Sequence, residues 1–178
     1  MLAQDNQYAA FLADFAAGKL SPGELLAVQL HFALSERGAH NQGVLDATGG
    51  VLLESADPAD VQIARQTHEL RGEGKDSAAT DQTDWVDYYS RHDLMDRRWR
   101  TSMFGVKTLP THLTTASLLR LDPGERAPRH SHGSPDVTVV LRGAFADDWG
   151  EYHRGDLAFA DAGDKHAPAT VGDETACV

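Results

Sequence analysis

Nine histidines are spread along the chain, and three of them stand in a pattern that could grip a metal ion. His130 and His132 are two residues apart, so on a strand both side chains leave the same face. His166 follows a turn-rich stretch and would arrive from a neighbouring strand. Three imidazoles around one divalent ion leave coordination positions open, the arrangement of a reactive or sensing centre rather than a closed structural one. Asp136, four residues past His132, is the fourth candidate, either ligating directly or orienting a histidine from behind. Imidazole suits zinc, Fe(II), Ni and Mn; zinc is the first expectation and Fe(II) the second, at one ion per chain. Cys177 is the only cysteine, which excludes an internal disulfide and a multi-cysteine metal site. His40, His68, His92, His112 and His153 read as solvated or hydrogen-bonded side chains. No acid or base for catalysis can be assigned; Asp136, Tyr152 and His153 are the nearest candidates.

Elements that could hold the three histidines follow from period and punctuation. Residues 113–121, 136–141 and 157–160 read as strands, separated by turns at Asp122-Pro123-Gly124, Arg142-Gly143 and Arg154-Gly155. Short strands in succession predict a barrel or sandwich over residues 103–178. Upstream the pattern is helical. Tyr8, Phe11, Leu12 and Phe15 share one stripe that stops at Gly18. Ser21-Pro22-Gly23-Glu24 supplies an N-cap serine, a proline at the first helical position and a glutamate three past the cap, predicting a second helix that ends near Gly38. A third is expected over about 41–55, and Asp57-Pro58 could cap a fourth running towards Leu70. Residues 1–70 thus read as a small helical domain. Residues 71–102 read as a linker, polar and small from Arg71 to Thr83, followed by an amphipathic segment with Trp85, Tyr88, Tyr89 and Trp99 that lies against the barrel.

The segments Gly124-x5-His130-x-His132-x3-Asp136-x6-Gly143 and Gly155-x5-Asp161-x-Gly163-x2-His166 resemble the two motifs of the cupin superfamily. That resemblance implies a cupin barrel with His130, His132, His166 and the position of Asp136, usually glutamate, as metal ligands. Asp161 stands where proline is usual, and Thr170 where asparagine often follows. Together with Phe15-Ala16-Ala17-Gly18-Lys19-Leu20, the second helix with His31, and Leu45-Asp46-Ala47-Thr48-Gly49-Gly50, the ordered set resembles the ChrR-type family of anti-sigma factors. Those proteins pair a zinc-binding helical domain with a cupin-like domain. The resemblance implies an extracytoplasmic-function (ECF) sigma factor as partner and a metal cupin that senses an oxidant or small ligand. The family's helical zinc ligands match Asn6, His31, Ser35 and Gly38 here, so that zinc site is expected to be absent. His31 is then expected at a helix surface or packing edge, with packing among Phe11, Phe15, Leu26, Leu30, Leu45 and Leu52 holding the helices.

Charge narrows the alternatives. With 16 Lys plus Arg and 27 Asp plus Glu the formal net charge is −11, which repels nucleic-acid backbones and anionic lipid. Direct nucleic-acid binding and a membrane role are not expected, and the start MLAQDNQ lacks signal-peptide character, pointing to the cytoplasm. The competing reading is a metal-dependent, dioxygenase-like cupin enzyme whose helices serve oligomerisation. Twelve residues follow His166, fewer than cupins of this type usually carry. An unpaired barrel edge covered by a second copy, a homodimer, is therefore a further expectation.

Overall fold

The computed structural model describes residues 2–55, 82–91, 94–102 and 106–178. The expected fourth helix, residues 71–81 of the linker, His68 and His92 lie outside these residues. Helices α1 (Leu2–Ala16), α2 (Pro22–Leu34), α3 (Glu36–Ser55) and α4 (Gln82–Arg91) precede eleven short strands.

The start of α2 follows from its sequence. Ser21 Oγ accepts from the Glu24 amide, and the Glu24 carboxylate accepts from the Ser21 amide at 2.8 Å. Two of the helix's orphan N–H groups are thereby satisfied with Pro22 at its first turn. Helix α3 begins at Glu36, earlier than the expected 41, because Ser35 caps it by accepting from the Gly38 amide at 3.2 Å. Gly38 is therefore no terminator. It is the residue that lets α3 pass α2, since a Cβ there would lie 2.3 Å from the His31 carbonyl oxygen.

The strands are β1 (Arg100–Thr101), β2 (Lys107–Pro110), β3 (Ser117–Leu121), β4 (His130–Ser131), β5 (Asp136–Val139), β6 (Ala144–Ala146), β7 (Glu151–His153), β8 (Leu157–Ala160), β9 (Lys165–His166), β10 (Ala169–Thr170) and β11 (Ala176–Cys177). They form antiparallel sheets ordered β1-β2-β3-β11, β10-β6-β7, β4-β9 and β5-β8. The three turns expected from sequence carry Gly124, Gly143 and Gly155 at positive φ.

The last strands supply the closure that the short tail made doubtful. Strand β10 pairs with β6, while β11 pairs with β3 and also exchanges backbone hydrogen bonds with Leu141 and Arg142. Both strands that follow His166 are therefore paired within the chain. Burial pushes the Cys177 thiol on β11 up to about 12, which leaves it an inert packing group.

Helices and barrel share one apolar cluster. Tyr8 and Phe11 of α1, Leu26, Val28 and Leu30 of α2, Tyr89 of α4 and Leu118, Val139 and Phe159 of the barrel are buried in it, with Phe15 and Leu45 packed alongside. The Phe11 and Phe159 rings meet edge to face at 5.4 Å. Gln4 of α1 donates to the Phe159 carbonyl at 2.8 Å and accepts from the Phe159 amide at 3.1 Å. Its amide thus acts as a short strand partner for β8. On the other side Trp85 of α4 stacks on His112 at 3.7 Å, so the amphipathic segment does lie on the barrel.

Candidate metal centre

Strands β4 and β9 bring His130 and His166 directly opposite each other. His132, two residues beyond His130, falls on the same side, and its carbonyl accepts from the Gly163 amide at 2.9 Å. The approach to His130 is anchored from β10: the Thr170 hydroxyl donates within reach of the Asp122 and Glu125 carbonyls, at 3.1 and 3.2 Å. Thr170 thus holds the loop that delivers the first histidine.

The three rings converge. His166 Nε2 lies 3.0 Å from His132 Nε2 and 3.2 Å from His130 Nε2, and a ligand nitrogen from each residue lies within 4.8 Å of the others. Metal–nitrogen bonds of about 2.05 Å at tetrahedral angles require nitrogens about 3.3 Å apart, so the spacing fits a shared ion. Their outer nitrogens fix the tautomers. His130 Nδ1 donates to the Pro128 carbonyl at 2.8 Å, and His166 Nδ1 donates to Asp147 Oδ2 at 3.1 Å. Both Nε2 atoms are then bare lone pairs facing each other, an arrangement that a cation between them relieves. The residues present fit a divalent metal, with His130 open to solvent and His166 buried.

Asp136 stands apart from this trio. Its Oδ1 lies 4.0 Å from His132 Nδ1, on the outer side of the ring and too far for a direct hydrogen bond, while its Oδ2 accepts from the Thr138 hydroxyl at 3.2 Å. Asp147, which the sequence reading missed, is more tightly built in. Its side chain is 1% exposed, and Oδ1 accepts from the amides of Trp149 and Gly150 at 2.9 and 3.2 Å. The Trp149 ring lies against His166 with centroids 5.2 Å apart. Tyr152 makes no hydrogen bond to the centre: its hydroxyl is buried without a hydrogen-bond partner among the described residues, and burial pushes it up to about 12. His153 is exposed and paired with Glu151 at 3.0 Å.

Of the two places expected for His31, a helix surface or a packing edge, the structure gives a buried form of the second. The residue is 2% exposed and lies at the seam between α1, α2, α3 and the barrel. Nδ1 donates to the Gly155 carbonyl at 2.6 Å; Nε2 accepts from the Tyr8 hydroxyl at 2.9 Å, which in turn accepts from the Asn41 amide at 2.7 Å. Both nitrogens are satisfied by a neutral ring. Burial lowers its pKa below 6.5, opposed by the Gly155 bond and Asp156 and assisted by Arg37. Each donor and acceptor is used within the protein, so His31 is a packing-and-bonding post rather than a surface residue.

Residues 77–178 match the family described as the ChrR cupin-like domain. Over 176 aligned residues the chain is 34% identical to the anti-sigma-E factor ChrR of Cereibacter sphaeroides, covering 89% of this chain and 80% of that protein. The structure is similar to a chain from the crystal structure of Rhodobacter sphaeroides SigE in complex with the anti-sigma ChrR, with a TM-score of 0.67 and 32% identity, covering 94% of this chain and 92% of that one. The likeness runs through the helices as well as the barrel, and the chain belongs to the ChrR-type family of anti-sigma factors with a cupin-like domain.

Proposed function

We propose that this protein is a transcriptional regulator that binds an ECF-type sigma factor through its helices and withholds it from RNA polymerase. In this reading the three-histidine centre holds one divalent ion, zinc first among the candidates, and receives the signal, an oxidant or a small ligand. The observation that carries the reading is the extent of similarity: it spans both the helical part and the barrel of an anti-sigma factor. Of the acid or base candidates, the Tyr152 hydroxyl has no hydrogen-bond partner among the described residues and His153 is paired with Glu151, while Asp136 lies beside His132.

The fold supplies a short route between the two functions. Asp136 begins β5, and β5 packs against α2. A cavity of about 500 Å³ lies between the first turn of α2, with Ser21 and Glu24, and a barrel wall that includes His130, His132 and Asp136. Asp136 behind His132 would transmit a change in ring position to β5 and so to α2. With no cysteine pair in the chain, the signal would enter at the metal rather than through a dithiol. The site of action would be the cytoplasm, where the sigma factor works.

The test is binding and transcription with the full chain. A stable complex with a cognate ECF sigma factor at micromolar concentration or below, and a matching fall in run-off transcription from its promoter, is the expected outcome. No complex and unchanged transcription would end the sequestration reading.

A further inference from the structure

A second cavity, of about 390 Å³, opens on the histidines from within the barrel. Its wall carries Val106, Leu119, Leu121, Phe145, Pro168 and Ala176 together with the three histidines. Leu119 is 37% exposed, one of three large apolar side chains among the described residues that are exposed rather than partly buried. Polar wall groups are scarce and largely committed. Thr138 donates to Asp136, and Arg129, the only Lys or Arg on the wall among the described residues, pairs with Asp148 at 2.9 Å and donates to the Lys165 carbonyl at 3.0 Å.

We propose that this cavity takes an amphiphile with one anionic head and an apolar tail, of the medium-chain monocarboxylate class, its head at the three histidines and its tail along Leu119, Leu121 and Phe145. The inference rests on the metal reading of the centre and names the ligand that such a centre would sense. Neutral imidazoles leave a divalent ion its full charge. The buried Asp147 carboxylate offsets one unit, while Asp136, 41% exposed, is screened by water. One further anion at the ion brings the site to neutrality. A second charge at the far end of the ligand would be stripped of water with no free counter-charge on the wall. Sugar hydroxyls would likewise lose their hydrogen bonds to water without replacement. An alkyl tail loses nothing there and gains from leaving water.

The experiment loads the full chain with cobalt(II) and titrates it with acetate, octanoate and the dicarboxylate suberate, following visible absorption and heat. Octanoate should bind at least about tenfold more tightly than either of the others, with a change in the cobalt spectrum, because its extra methylenes are buried and its far end is uncharged. Leu119→Glu should bring the octanoate-to-acetate ratio towards one. Equal affinity for acetate and octanoate, or octanoate heat without a spectral change, overturns the ligand assignment while leaving the metal centre in place. Failure to bind about one cobalt per chain overturns the metal reading, and the ligand proposal with it.

Discussion

His166 shows how much of the centre lies one residue behind the ligands. Its ring is held by Asp147, whose other oxygen is fixed by two backbone amides of the turn at Trp149 and Gly150. Asp147→Asn should keep that turn, since an amide oxygen still accepts, but it loses the carboxylate that polarises the imidazole. Metal affinity measured by chelator competition should fall about 10- to 100-fold with the fold intact; an unchanged affinity would mean that Asp147 only shapes the turn. The ligand trio was legible because His130 and His132 are adjacent on one strand face. Asp147 was not, because its partner is 19 residues away and nothing in the Asp-Asp-Trp-Gly segment marks it beyond a turn. The burial of His31 was not legible for the same reason: its partners Tyr8 and Gly155 lie 23 and 124 residues distant. The His31 ring also carries a pH dependence. Its folded pKa is below 6.5, so below that pH the unfolded chain binds a proton that the native state resists. Its contribution is complete above 6.5 and is lost as pH falls towards the folded value. His31→Asn, which can still donate to Gly155, should cost about 1–3 kcal/mol near pH 7. It should also show a shallower fall in thermal midpoint than the parent between about pH 6.5 and 5.5. Parallel slopes would place the titration elsewhere.

Among the elements, α2 is the pivot. Its capping box was written plainly in Ser21-Pro22-Gly23-Glu24, and it forms as expected. The start of α3 was misread because Gly38 looks like a stop, whereas the need for glycine there comes from His31 on the neighbouring helix. Local signals fix where a helix can begin; a close approach between helices is invisible until both are placed. Gly155 is the matching contact on the barrel side. It sits at φ +88°, and a Cβ there would lie 2.7 Å from the Leu34 carbonyl group and 2.9 Å from the Ser35 amide nitrogen. Gly155→Ala combines left-handed backbone strain with a clash against rigid main chain. It should destabilise by about 2–4 kcal/mol in urea unfolding. A loss below about 0.5 kcal/mol would show that the C-terminal end of α2 is not seated on this turn.

At the scale of the whole molecule, the resemblance in the sequence named the family and the fold, but it did not reveal how the parts join. A helical domain and a barrel separated by a linker were expected, whereas α1 and α2 bury their apolar faces in the same cluster as β3, β5 and β8. The hydrophobic pattern of a helix says that it must be covered and not by what. The joint is crossed by hydrogen bonds: Asn41, Tyr8, His31 and Gly155 form one continuous series across it. The proposed sensing role calls for one metal centre in the barrel and none in the helices. Elemental analysis by plasma mass spectrometry of the purified full chain and its His166→Ala variant tests it directly. About one transition-metal ion per chain, lost in the variant, is the predicted result. Two ions per chain, or one that persists in the variant, would contradict it by placing metal among the helices, and none would reduce the barrel to a scaffold.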